Sequence, residues 1–201
     1  MNFLAHLYLA GDEEGLRLGA MLGDFVRGKL EHSDVPQLAH RGILLHRHID
    51  QYIDSLPEVG QLRELFPRPF RRYSGIIIDL AFDHELAQRW GEYCSSSLEQ
   101  FDRGVRAMLG RHADHLPAEL KQFMRYADRH GLFAAYREER EIMASLRGVG
   151  QRLSRANPLH RVSEIWEELK PELGRGFTTA FPLVRRSVGD WLTQPAAATV
   201  S

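Results

Sequence analysis

Apolar residues return at intervals of three and four along almost the whole chain, the period that gathers side chains onto one face of an α-helix. Residues 13–29 put Leu16, Ala20 and Phe25 on such a face. Residues 36–56 open with Pro36 near the first turn, a favoured position, and Leu38, Ile43, Leu45, Ile49 and Ile53 then recur at helical spacing. Further helices are expected over 70–93, 97–115, 117–130, 132–147, 161–173 and 176–193, divided by short punctuation such as "HLPAE", "RHG", "GVG" and "ANP". The best candidate for a strand, "GIIID", lies inside a periodic run that continues through it. The pattern predicts an all-α fold: one helical bundle over residues 1–194, with a disordered tail at 195–201.

Within that pattern, "GIIIDLAFDHELAQRW" (75–90) is the anomaly, because Asp79, Asp83 and His84 interrupt an apolar run. Burying an ionisable group without a partner costs several kcal/mol, on the order of 2–7 for a polar group alone. Residues three or four apart share a helix face, and other acids and imidazoles follow that spacing. His46, Asp50 and Asp54 run at i, i+4, i+8; Asp79 and Asp83 repeat the step; Asn2 and His6 are four apart; Asp24 precedes Arg27 by three. Six of the ten histidines (His6, His32, His40, His46, His48, His84) fall in the first 84 residues. His112, His115, His130 and His160 look scattered and solvated, without a partner at useful spacing.

Any one of these pairs reads as a simple ion pair. As a set they hold more carboxylates than cations, and like charges four residues apart repel. A divalent metal ion supplies the missing charge, and imidazole with carboxylate suits Mn, Fe or Zn. Such an ion lowers the pKa of coordinated water and clamps a phosphoryl oxygen, so the chemistry indicated is phosphoester hydrolysis. Arg27 and Arg47, each beside an acidic motif, are the candidates for neutralising phosphate oxygens.

Other classes find no support. With Cys94 as the only cysteine, no intrachain disulfide can form and a reducing compartment is the natural reading. There is no basic n-region for a signal peptide and no apolar stretch of the roughly 20 residues a membrane helix requires, so a cytoplasmic location is expected. A net charge of −1 gives no global argument for nucleic acid or membrane as a partner. The chain has no P-loop, dinucleotide fingerprint, nucleophile elbow, zincin helix or repeated Glu-x-x-His.

"MNFLAHLYLA" (1–10), "GDFVRG" (23–28), "HRHID" (46–50) and "IDLAFDHELAQRW" (78–90), in this order and spacing, resemble the acyl carrier protein phosphodiesterases. The resemblance implies a helical fold related to the HD-domain phosphohydrolases. It implies cleavage of the phosphodiester joining 4′-phosphopantetheine to acyl carrier protein, with one or two Mn²⁺ ions. The matching positions are Asn2, His6, Asp24, Arg27, His46, Arg47, Asp50, Asp79, Asp83 and His84. The chain departs from HD proteins in that its adjacent pair is Asp83-His84, the reverse of His-Asp.

The expected metal ligands are Asp24, His46, Asp50, Asp83 and His84, with Arg27 and Arg47 on the phosphate. Asp79 or His6 is expected to act as general base or to orient a ligand. For an acidic carrier protein, "RELFPRPFRRYS" (63–74) offers Arg63, Arg68, Arg71 and Arg72 around Phe66 and Phe70, either as a docking surface with aromatic anchors or as a connection whose phenylalanines face the core. The rival readings are an HD-type nucleotide phosphohydrolase without that surface, and a non-catalytic helical adaptor whose His/Asp sets are ion-paired.

Overall fold

The computed structural model describes residues 1–30, 35–130 (backbone alone over 126–130) and 133–194; His32 and the 195–201 tail fall outside the described residues. Among the described residues there is no strand, in line with the all-α expectation. The helices are α1 (Phe3–Leu9), α2 (Glu14–Leu22), α3 (His40–Ser55), α4 (Pro57–Leu65), α5 (Arg68–Arg71), α6 (Ser74–Gln88), α7 (Trp90–Tyr93), α8 (Leu98–Arg111), α9 (Ala118–His130), α10 (Glu139–Arg152) and α11 (Ser163–Thr193). None is long and apolar enough to cross a membrane.

Helix α6 is the centre of the molecule. Ile77, Ile78, Leu80, Ala81, Phe82, Leu86 and Ala87 are buried on all its sides, and Asp83, His84 and Glu85 are buried with them. A helix apolar all round belongs inside, enclosed by its neighbours. α1, α10 and α11 pack against it.

Two glycine-lined surfaces bring α2 against α3. A Cβ on Gly19 would lie 2.4 Å from the Cα of Gly42, and one on Gly15 would lie 2.4 Å from the carbonyl oxygen of Leu38. The backbones therefore meet without intervening side chains, which carries the end of α2 and the 3₁₀ turn Gly23–Phe25 up to the middle of α3.

Several boundaries differ from those expected. Instead of one helix over 70–93 there are three, α5, α6 and α7, and the stretch expected as 13–29 ends at Leu22. Conversely, 161–173 and 176–193 join into α11, which runs through Pro171 and Pro182. Each proline removes a helix N–H and strains the preceding turn, about 3 kcal/mol in an isolated helix. The unbroken buried stripe of Trp166, Leu169, Leu173, Phe177, Phe181, Val184, Val188 and Trp191 offsets that cost. The expected helix at 132–147 starts outside the described residues and is found as α10, from Glu139. His112, read as solvated and unpartnered, bonds Glu14 across 2.7 Å, a contact invisible to local spacing.

Candidate metal centre

The site forms where α1, α3 and the turn after α2 meet. His46 and Asp50 project from the same face of α3, one turn apart, and the His46 Nε2 lies 3.2 Å from Asp50 Oδ2. Asp24, on the turn, is 3.4 Å from the same nitrogen. From α1, His6 Nε2 lies 3.0 Å from Asp50 Oδ1, and its ring stacks on that of His46 with centroids 3.8 Å apart. The Met1 ammonium stands 3.0 Å from Asp79 Oδ1 and 3.4 Å from Asp50 Oδ1.

Local structure fixes these side chains. The Nδ1–H of His46 donates to the Ala20 carbonyl (3.0 Å), which turns Nε2 toward the acids. Gly23 cradles that ring: a Cβ there would fall 2.2 Å from His46 Cγ. His6 is placed by α1, whose first amides, Leu4 N–H (2.9 Å) and Ala5 N–H (3.0 Å), both donate to the Asp83 carboxylate. Asp83 thus satisfies donors that the start of a helix leaves unpaired.

The electrostatics follow from crowding charges in a dry place. Burial and the neighbouring His46 push His6 down to about 4, against the pull of Asp50. Burial also acts to lower His46, but Asp24 and Asp50 outweigh it and carry it up to about 9. Burial would raise Asp50, yet its hydrogen bonds to His46 and His6 hold it far below the carboxylate range. Asp79 is raised by burial in spite of the nearby ammonium. Burial raises Asp83 to about 7 against its two amide bonds.

The donor set fits a divalent cation. One ligand atom each from His6, His46 and Asp50 lies within 4.8 Å of the other two. Ligands about 2.1 Å from one ion stand about 3 Å apart when adjacent, which is the spacing of both histidines from Asp50. The His6 Nε2 that faces Asp50 also lies 3.1 Å from the Met1 carbonyl oxygen, and Nδ1, on the other edge of the ring, is buried without a partner.

The expected residues separate into two groups. Asp24, His46 and Asp50 converge, and His6, expected as base or orienter, joins the donors. Asp83 and His84 do not converge with them. Both oxygens of Asp83 are taken by α1 amides, and His84, turned about 100° further round the helix, donates from Nδ1 to the Tyr136 carbonyl at 2.6 Å. Arg47 donates to the carbonyls of Val26 (3.0 Å) and Gly28 (2.9 Å) and so ties down the loop after Asp24. Arg27 is exposed in that loop. The docking segment also divides: Phe66 and Phe70 are buried in the core, whereas Arg68, Arg71 and Arg72 are exposed. Sequence spacing gave no sign of Gly23 or the Ala20 carbonyl, whose parts are played through backbone shape.

The fold is an all-helical domain in which two imidazoles and a carboxylate, His6, His46 and Asp50, lie close enough together to hold a cation. The family model described as acyl carrier protein phosphodiesterase matches residues 1–184. The chain is 32% identical over 187 residues to an acyl carrier protein phosphodiesterase of Yersinia pestis, covering 92% of this chain and 96% of that one. It is 33% identical over 186 residues to the protein of that name from Shigella boydii (90% and 94% covered). With the one from Escherichia coli it shares 34% over 170 residues (84% and 86% covered). No solved structure matches. The chain belongs to the acyl carrier protein phosphodiesterase family.

Proposed function

We propose that this protein hydrolyses the phosphodiester between 4′-phosphopantetheine and the serine of holo-acyl carrier protein, giving apo-carrier protein and free 4′-phosphopantetheine, in the cytoplasm. The observation that carries the reading is the convergence of His6, His46 and Asp50, with Asp24 beside them, in a chain of this family. The relation to HD-type phosphohydrolases is part of the same proposal.

Those four residues would hold Mn²⁺, with His46 presenting Nε2 because Ala20 holds its other nitrogen. When bound, the ion supplies positive charge to the phosphoryl group and acidifies water. The chain supplies the rest. Asp79 is half-exposed at the edge of the cluster, and burial raises its affinity for a proton, which suits a group that accepts one as water attacks. Asp83 holds α1, and with it His6, in register. The exposed cations Arg68, Arg71 and Arg72 would draw an acidic carrier protein to their face without aromatic anchors, since Phe66 and Phe70 face inward.

Incubation with holo-acyl carrier protein and Mn²⁺, followed by intact-mass measurement, tests the reading. Loss of the phosphopantetheine mass from the carrier protein is expected. A carrier protein of unchanged mass would reject it.

A further inference from the structure

Neither arginine expected on the phosphate has the surroundings for it, since Arg47 is bound to loop carbonyls and Arg27 is exposed in the loop itself. A third guanidinium stands beside the cluster. Arg63 of α4 donates from Nη2 to Asp54 Oδ1 at 2.5 Å, and Asp54 lies one turn after the ligand Asp50 on the same face of α3. Across the gap, Nη2 lies 3.8 Å from where a Cβ on Gly75 would be, and Gly75 is one turn before Asp79 on α6. The carboxylates of Asp50 and Asp54 both act on Asp79. Arg63 therefore sits over a bare stretch of α6, between two helices that each place an acid of the site one turn further in.

We propose that Arg63, aimed by Asp54, binds the phosphoryl oxygens of the substrate; this rests on the phosphodiesterase reading above. Four residues, the step from Asp50 to Asp54, rise about 6 Å along a helix. A phosphoryl oxygen gripped by a guanidinium lies about 2.8 Å from it, so a phosphoryl group held by Arg63 would extend from Asp54 toward Asp50. Asp54 takes one of the two Nη2 hydrogens, so one two-donor edge of the guanidinium, Nη2 with either Nε or Nη1, stays open among the described residues. That edge has the planar fork with which arginine grips phosphate. The side chain is 35% exposed, enough to meet a ligand while half shielded from water. Asp54 is a positioning residue: it fixes the guanidinium without contacting the substrate.

The test uses the full-length protein loaded with Mn²⁺ and two ligands, inorganic phosphate and holo-acyl carrier protein. For Arg63→Gln, phosphate affinity measured by calorimetry is expected to fall at least tenfold, while Mn²⁺ affinity and the thermal midpoint stay at the wild-type values. kcat/KM on holo-carrier protein should fall with it. Arg63→Lys should recover part of both, because a point charge replaces the fork, and Asp54→Asn should lie between. Unchanged phosphate affinity in Arg63→Gln overturns the proposal. So does a loss confined to carrier-protein affinity that vanishes in high salt, which would make Arg63 part of the docking surface instead. Failure of the wild-type protein to bind phosphate also overturns it. If the wild type binds phosphate through Arg63 but leaves holo-carrier protein intact, the phosphodiesterase reading fails and the Arg63 site stands.

Discussion

His6 and His46 stack face to face with ring centroids 3.8 Å apart, and only one of the two rings is charged at neutral pH. His46 holds a proton up to about pH 9 because Asp24 and Asp50 flank it, and His6, buried against it, stays neutral down to about pH 4. Two stacked imidazolium rings would repel strongly in so dry a place. Within the donor set His6 need only shift its proton from Nε2, which faces Asp50 and the Met1 carbonyl, to Nδ1, whereas His46 must give one up to become a ligand.

Metal binding should therefore be proton-linked. At pH 7 the metal-free site carries its proton on His46, and a ligand must be unprotonated. Binding of Mn²⁺ should release about one proton, and affinity should rise by about tenfold per pH unit from 7 until the rise levels off near 9. His6 adds a further loss only as the pH falls towards 4. Calorimetry in two buffers of different ionisation enthalpy at pH 7 measures the released proton. A heat independent of buffer would contradict this.

Asp83 was expected to be a ligand, and its contacts give it a different consequence. Asp83→Ala leaves the buried Leu4 and Ala5 amides without an acceptor, at about 1–3 kcal/mol for each unsatisfied group. The thermal midpoint should fall by several degrees, and Mn²⁺ should bind more weakly because α1 no longer holds His6. Asp50→Asn separates the two effects: it should weaken Mn²⁺ binding while lowering the midpoint far less. Equal midpoints for wild type and Asp83→Ala, read by differential scanning calorimetry, would refute the capping role.

The division between legible and illegible parts has a physical basis. His46 and Asp50 could be read from the sequence because i, i+4 spacing on a helix is a statement about geometry. Asp83 and His84 misled for the same reason: neighbours on a helix diverge, so one braces α1 and the other turns to Tyr136. α1 was not foreseen because seven residues are too short for a period to register, and α4 was missed although α2, also of nine residues, was read. α11 was read as two helices broken at 174–175, and the buried face that carries it through as one is a tertiary feature that local spacing does not report.

Gly23 has no side chain, yet the site depends on its lacking one. A methyl group at this position would overlap the His46 ring at 2.2 Å, and the turn cannot yield without moving Asp24 as well. Gly23→Ala should weaken Mn²⁺ binding by about 10–100-fold, the usual penalty for disturbing what orients a ligand. Gly60→Ala is the control, since nothing lies within 4 Å of its added methyl group; it should leave metal affinity alone and slightly stabilise α4. Titration of each variant with Mn²⁺, followed by electron paramagnetic resonance of the free ion, checks both.

Asp79 should affect turnover without affecting the ion. It stands at the rim, its affinity for a proton raised by burial, and lies outside the trio of His6, His46 and Asp50. Asp79→Asn keeps the shape and removes the proton acceptor, so kcat on holo-carrier protein should drop by about 10²–10⁴ while Mn²⁺ affinity changes little. A parallel loss of metal affinity would place Asp79 among the ligands.

Arg68 and Arg72 are exposed cations with no partner among the described residues, so no fold-stabilising contact is lost when they are changed. Arg68→Glu combined with Arg72→Glu reverses the local charge while Phe66 and Phe70 remain buried beneath. If an acidic carrier protein is steered to this face, the double variant should show a raised KM for holo-carrier protein and a kcat/KM lower by one to two orders of magnitude at low salt, roughly the reach of electrostatic steering. Added salt should narrow the gap, because exposed charges are screened beyond about 8–10 Å. A small phosphodiester, which has no extended acidic surface to align, should be cleaved at the wild-type rate. Equal losses on both substrates would move the role of these arginines from docking to the chemistry itself.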